Sequence, residues 1–347
     1  MIVRKAVLFV VGLVLTLTPA VSSSDPPSGQ SSLTDLYKAG PIRLEPDPEF
    51  GKDTKWNLLF FNLFCNLAAA PDGSLFIADS REHKVFKFDK QGHFIKSFGQ
   101  KGQGPGDFNS PDNLSVLDGK YLVVGEYAES RRISLFDLEG KFNRLLATKR
   151  STFNPVALRD GKVAYLSFRS QRDGAAGVKT NRSVVIRGID GPGETVVAEH
   201  TFNWNGIMLR RGGAIAFPAS ESGVTFIAAT KDGNLLVGNS LKPFLDVYSP
   251  AGVKLSSIDL GLEPIPVTKD YIKRYKDRVI GGMRKDSRYA QGPAGGALKE
   301  VDEASFDQFF SDHLPFYHEV LVDAEGNILV FKKTECLGDC PILIRVY

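Results

Sequence analysis

Three stretches of the chain repeat one another at a spacing that constrains the fold more than any other feature. Asp72-Gly73 precedes Ser74–Asp79 (SLFIAD), then Lys84–Asp89 (KVFKFD), then Gly92. Asp118-Gly119 precedes KYLVVGE, then Arg132–Asp137 (RISLFD), then Gly140. Asp232-Gly233 precedes NLLVGNS, then Phe244–Ser249 (FLDVYS), then Gly252. Asp72 to Asp89 and Asp232 to Ser249 are both 17 residues, and the turn glycine follows the Asp or Ser by three residues each time. Glycine accepts positive φ in such turns, and the β-rich segments between them alternate apolar with polar side chains as strands do. Each copy therefore reads as a four-stranded antiparallel meander.

One small meander cannot bury both of its faces. Stacking several around an axis covers the faces and leaves only short edges, which is a β-propeller. Weaker copies follow. Asp160-Gly161 precedes KVAYLSF, with SVVIRGIDG and ETVVAEH as third and fourth strands. Asn205-Gly206 precedes IMLRR and AIAFP as a degenerate copy, and Glu325-Gly326 precedes NILVFKK and the terminal PILIRVY. The count favours six blades, the last of them short of one strand. Pro41–Asp47 (PIRLEPD) is expected to supply it, so that both termini close the ring and remove an open edge.

Phe98–Pro111 (FGQKGQGPGDFNSP), with the IADS…KVFKFDKQG and VVGEY…RISLFDLEG blocks, resembles the inter-blade signature of NHL-type six-bladed propellers. The resemblance is to secreted bacterial propellers in particular. It implies an all-β, six-bladed fold over most of the mature chain and hardly any activity, since propellers host unrelated functions.

One stretch departs from the repeat. Between residues 262 and 314, a helical insertion is expected before the last blade. Val267–Ile280 places Tyr271, Ile272, Tyr275 and Val279 on one helical face with Thr268 as cap. A second helix near Val301–Leu314 carries Phe306, Phe309 and Phe310.

The chain begins with Arg4 and Lys5, an apolar run from Ala6 to Leu17, Pro19, and small residues from Ala20 to Ser24. That order reads as a secretory signal peptide over residues 1–24. Residues 25–38 then form a flexible lead-in and residues 39–347 the propeller. The expected location is secreted or periplasmic, with no membrane span after cleavage. The formal charge is +3, and losing the leader leaves the chain near neutral, so nucleic acid is not an expected partner. In an oxidising compartment Cys336 and Cys340, around Gly338 in ECLGDCP, are a candidate disulfide, whereas Cys65 reads as a small buried residue.

No local motif identifies catalysis. Gly99–Gly106 (GQKGQGPG) lacks the Gly-Lys-Ser/Thr ending of a phosphate loop and reads as an inter-blade turn. His83, His93, His200, His313 and His318 are scattered and form no HxH or HxxxH pair. No cofactor, metal ligand or catalytic residue is assigned. Candidate binding residues are those expected at one mouth of the channel: Arg81, Glu82 and His83 in the first blade, with Glu126, Tyr127, Arg131 and Arg132 in the second. Their mixture of charge, Tyr and His suits a polar ligand or an envelope or extracellular protein. A non-catalytic binding or scaffold propeller is the leading expectation; a lyase or hydrolase with a site gathered from several blades is the alternative.

Overall fold

The computed structural model describes residues 32–39, 66–126, 131–173, 177–205, 207–208, 214–215, 223–285, 310–336 and 343–347. Four sheets have four antiparallel strands in sequence order. The first contains β1 (Asn66–Ala69), β2 (Leu75–Asp79), β3 (Lys84–Phe88) and β4 (Phe94–Phe98); the second, β5 (Pro111–Leu117), β6 (Tyr121–Glu126), β7 (Arg132–Asp137) and β8 (Phe142–Ala147). The third contains β9 (Phe153–Leu158), β10 (Lys162–Asp173), β11 (Gly177–Gly188) and β12 (Glu194–Asn205). After β13 (Ile207–Met208) and β14 (Ala214–Ile215), the fourth contains β15 (Thr225–Ala229), β16 (Leu235–Asn239), β17 (Phe244–Tyr248) and β18 (Lys254–Asp259). The fifth has three strands: β19 (Tyr317–Val322), β20 (Ile328–Lys332) and β21 (Ile344–Val346).

The Asp-Gly turns join first to second strands as their sequence requires. Asp72 Oδ1 accepts the Ser74 N–H at 2.9 Å, and Gly73 sits at φ 86°, where a side chain would be strained and would meet Lys90. At the far end of β3 the recurring aspartate repeats the device. Asp89 Oδ1 accepts the N–H groups of Gln91 and His93, each at 2.9 Å.

The cores lie between successive sheets. Phe76, Ala78 and Val85 of the first sheet pack with Phe108, Leu114, Leu122, Val124 and Phe136 around the second. Leu117, Val123, Ile133 and Leu135 continue to Val163, Tyr165 and Val185 of the third. Leu236 and Leu245 of the fourth meet Tyr317, Val320, Ile328 and Val330 of the fifth. This radial series of packed meanders makes the chain a β-propeller.

Between the third and fourth sheets the described residues hold no further blade. Leu158, Ala164, Leu166, Val184 and Ile186 pack directly on Leu235, Val237 and Tyr248. The Arg159 N–H also donates to the Gly233 carbonyl at 3.2 Å. The third and fourth sheets are therefore in direct contact along this face. Among the described residues the Asn205-Gly206 copy is only the two-residue ladder β13–β14, too short to bury a face. The described residues form five blades of three or four strands.

Two helices flank the last blade. Helix α1 (Leu33–Ala39) occupies the end of the expected flexible lead-in, which is ordered here for a physical reason. Ser32 caps it, accepting the Asp35 N–H at 3.1 Å. Glu325 in the fifth blade accepts the N–H groups of Leu33 at 2.7 Å and Thr34 at 3.2 Å. Helix α2 (Lys269–Lys285) lies between β18 and β19. Thr268 Oγ1 caps it through the Tyr271 N–H at 3.1 Å, and Tyr271 and Tyr275 meet Phe310 edge to face. No helix among the described residues is long and apolar enough to cross a membrane. Most of the expected second helix and all of Pro41–Asp47 lie outside the described residues, as do Cys65 and Cys340.

Candidate functional site

In every blade the second strand ends, and the third begins, at the same end of the propeller. In the first blade Asp79, wholly buried, organises this turn: Oδ1 accepts the Arg81 N–H at 2.8 Å and the Glu82 N–H at 3.1 Å. Its other oxygen is buried without a hydrogen-bond partner, as is Nδ1 of His83. His83 adopts φ 56°, a left-handed turn conformation. Arg81 is exposed.

The second blade brings together two of the expected residues. Arg132 Nε donates to Glu126 Oε1 at 2.6 Å, and Glu126 Oε2 accepts the Asn109 N–H at 2.8 Å. The guanidinium also donates to the carbonyls of Gln103 at 3.0 Å, Gly102 at 3.3 Å and Asp107 at 3.4 Å. Arg132 thus ties down the glycine-rich inter-blade turn read from the sequence. Phe108 anchors the same turn in the core, where it is wholly buried. Arg131 is exposed, and its carbonyl accepts the Thr148 N–H at 2.8 Å. Tyr127 lies outside the described residues.

Sequence reasoning missed Asp112. It follows the turn at the start of β5, and its Oδ1 is buried with no hydrogen-bond partner. Burial, then the neighbouring charge of Glu126, pushes its pKa up to about 6. The signal available in sequence was only its place beside Pro111 at a strand start.

The third blade departs from its neighbours at this end. Strands β10, β11 and β12 are each 12 residues long, against six in β6 and β7. Measured from Phe168, the counterpart of Glu126 at the end of β6, β10 runs five residues further, about 17 Å at roughly 3.3 Å per residue. At the base of this wall Arg182 stands in register with Phe168 on β10 and His200 on β12. Arg182 is 8% exposed, and its Cζ lies over the rings of Phe168 at 5.2 Å and Phe202 at 4.6 Å. Its Nε has no hydrogen-bond partner. Burial holds its pKa down to about 10, so it remains cationic near neutrality. His200 Nδ1 contacts Thr225 Oγ1 of the fourth blade at 3.0 Å. Burial, then Lys242, keeps His200 below the usual histidine range, Arg182 adding to the effect against Asp246.

In the fifth blade, burial alone raises the pKa of Glu319. Cys336 is exposed. Among the described residues no group of three or more His, Cys, Asp or Glu side chains is placed to hold a metal ion.

No curated protein matches the chain. Among solved structures, it is similar to a Bacteroides fragilis protein designated as exported. Identity is 15% and the TM-score 0.45, over 78% of this chain and 65% of that one, so the chain spans less than two thirds of its length. A gluconolactonase from Xanthomonas campestris is 12% identical, with a TM-score of 0.40 over 80% of this chain and 71% of that one. Virginiamycin B lyase from Staphylococcus aureus is 14% identical, with a TM-score of 0.34 over 58% of this chain and 55% of that one. Residues 66–181, which run through the first two blades and into the third, match a family described as a 6-bladed β-propeller.

Proposed function

We propose that the chain is an exported, non-catalytic binding propeller that receives a polar ligand or partner at the end where second-to-third-strand turns gather. The observation that carries this reading is how the charged groups there are used. Each oxygen of Glu126 is held, one by Arg132 and the other by the Asn109 N–H, and Arg132 also donates to carbonyls of the inter-blade turn. Such groups fix a rim in advance of binding, which lowers the ordering cost of recognition. Arg81, Glu82 and His83 belong to that rim in the first blade, and Glu126, Arg131 and Arg132 in the second.

The enzyme reading is favoured by one observation. Asp112 and Glu126 are neighbouring carboxylates, and Asp112 titrates near pH 6, an arrangement general acids and bases use. Glu126 is already held by the Arg132 guanidinium and the Asn109 N–H, which suits a fixed rim, so binding ranks first.

Export rests on the leader. Ring closure by Pro41–Asp47 is supported by two outward faces that are buried. Leu75, Ile77, Phe86 and Phe88 form a separate cluster on the first blade, and Leu329 and Phe331 are each 1% exposed on the fifth.

A photo-reactive side chain placed at Arg81, on the rim, or at Lys90, exposed on the opposite end, tests the reading in cells that export the protein. The expected result is a discrete adduct from position 81 and none from position 90. Adducts from 90 alone, or from neither, would overturn it.

A further inference from the structure

Arg132 and Arg182 are register equivalents. Glu126 lies eight residues after Asp118, and Phe168 lies eight after Asp160. The Val124–Ser134 pairing extends by two residues to set Glu126 opposite Arg132, just as Phe168 stands opposite Arg182. The second blade thus gives its arginine a carboxylate, and the third gives the same arginine a phenylalanine.

No other carboxylate among the described residues hydrogen-bonds Arg182. Glu199, next to His200, takes a 2.9 Å bond from Ser183, whose side chain alternates with Arg182 to the other face of the strand. Asp246 is engaged by Lys254 at 2.8 Å and by Ser257 at 2.6 Å. A desolvated guanidinium without a counterion costs several kcal/mol in general, and the flanking rings offset only part of that through cation–π attraction. The surroundings add positive charge, since Lys242 acts on the neighbouring His200 and sits over Phe244.

We propose that Arg182 anchors a site for an organic carboxylate at the junction of the third and fourth blades, with the half-buried Phe168 receiving the ligand's apolar body and Phe202, 1% exposed, backing the guanidinium from inside. This names a ligand class for the binding end proposed above and rests on that reading. The ligand's carboxylate takes the part that Glu126 plays for Arg132. A charge-assisted pair of this kind is strong and directional, and aromatic walls beside a single charged anchor are typical of small-molecule sites.

The test is calorimetric titration of the full mature chain with sodium benzoate at constant ionic strength, with sodium phosphate as a parallel arm. Wild-type protein should bind benzoate saturably, and phosphate at least 10-fold more weakly. Arg182→Gln should weaken benzoate binding 10-fold or more, as loss of a hydrogen-bonded charge does. Phe168→Glu installs the second blade's own carboxylate and should abolish benzoate binding while the fold persists. If Arg182→Gln fails to fold, Phe168→Glu decides the matter alone. Absence of saturable benzoate binding, equal binding of phosphate, or full binding by folded Phe168→Glu would overturn the site. Failure here leaves the rim cross-link from position 81 untouched, so the two proposals fail separately.

Discussion

Arg132 Nε donates to Glu126 Oε1 at 2.6 Å, and the pair ties the end of the second blade to the turn that enters it from the first. Only 2% of the Glu126 side chain and 15% of the Arg132 side chain are exposed. Removing one partner from a buried pair strands the other charge. Glu126→Gln should therefore lower stability by on the order of 3 kcal/mol, measured as a fall in the urea midpoint at unchanged m-value. Proteolysis of the turn around Gly102–Asp107 should quicken in the same variant. An unchanged midpoint would mean that the turn is held by Phe108 alone.

Asp112 sets a pH dependence. Its folded pKa is about 6, above the 3.8 of an unperturbed aspartate, because burial and Glu126 oppose its ionisation. Its contribution is therefore most favourable below pH 4 and is lost as pH rises towards 6 and beyond. The raised value corresponds to roughly 3 kcal/mol at most. Asp112→Asn should gain stability relative to wild type between pH 4 and 7. Urea titrations across that range that stay parallel for the two proteins would show that Asp112 ionises freely.

The blades were legible where the determining contacts are short in sequence. Asp72-Gly73, Asp118-Gly119 and Asp232-Gly233 each close a tight turn, and Gly119 at φ 62° and Gly233 at φ 71° hold the conformation that glycine favours. The degenerate Asn205-Gly206 copy was harder to read for the opposite reason. Its apolar residues fit a strand pattern, but whether they form a blade depends on the direct packing of Leu166 and Ile186 against Leu235 and Val237. Glu126 and Arg132 were readable as neighbours because they flank one turn. The surroundings of Arg182 were not readable, because they come from Phe168 on one neighbouring strand and Phe202 on the other. Register between strands, rather than spacing along one, makes that cluster.

Helix α1 should couple the N-terminal segment to the last blade. Glu325 receives two backbone N–H groups from its first turn, and Thr34 Oγ1 also donates to Asn327 Oδ1 at 2.8 Å. Glu325→Ala should lower stability by about 1 kcal/mol, in the range of a lost helix cap. Amide exchange in residues 33–39 should rise with it. Exchange that stays slow would show that the helix is held by other contacts.

Cys336 and Cys340 are expected to be bridged in an oxidising compartment, because they flank Gly338 in a short loop. The loop is short, so the gain in stability should be no more than about 3 kcal/mol. Non-reducing peptide mapping should recover the two cysteines in one linked peptide. Two free thiols would reject the bridge.

The central claim is that this propeller binds at its rim and does not turn its ligand over. The most direct measurement mixes the purified mature chain with an extract of its own extracellular medium and follows every dissolved species by mass. The account predicts a species retained up to one equivalent per chain, released with unchanged mass when the protein is unfolded. Consumption of a species in excess of the protein, with a product of different mass, would contradict it and favour the enzyme reading built on Asp112 and Glu126.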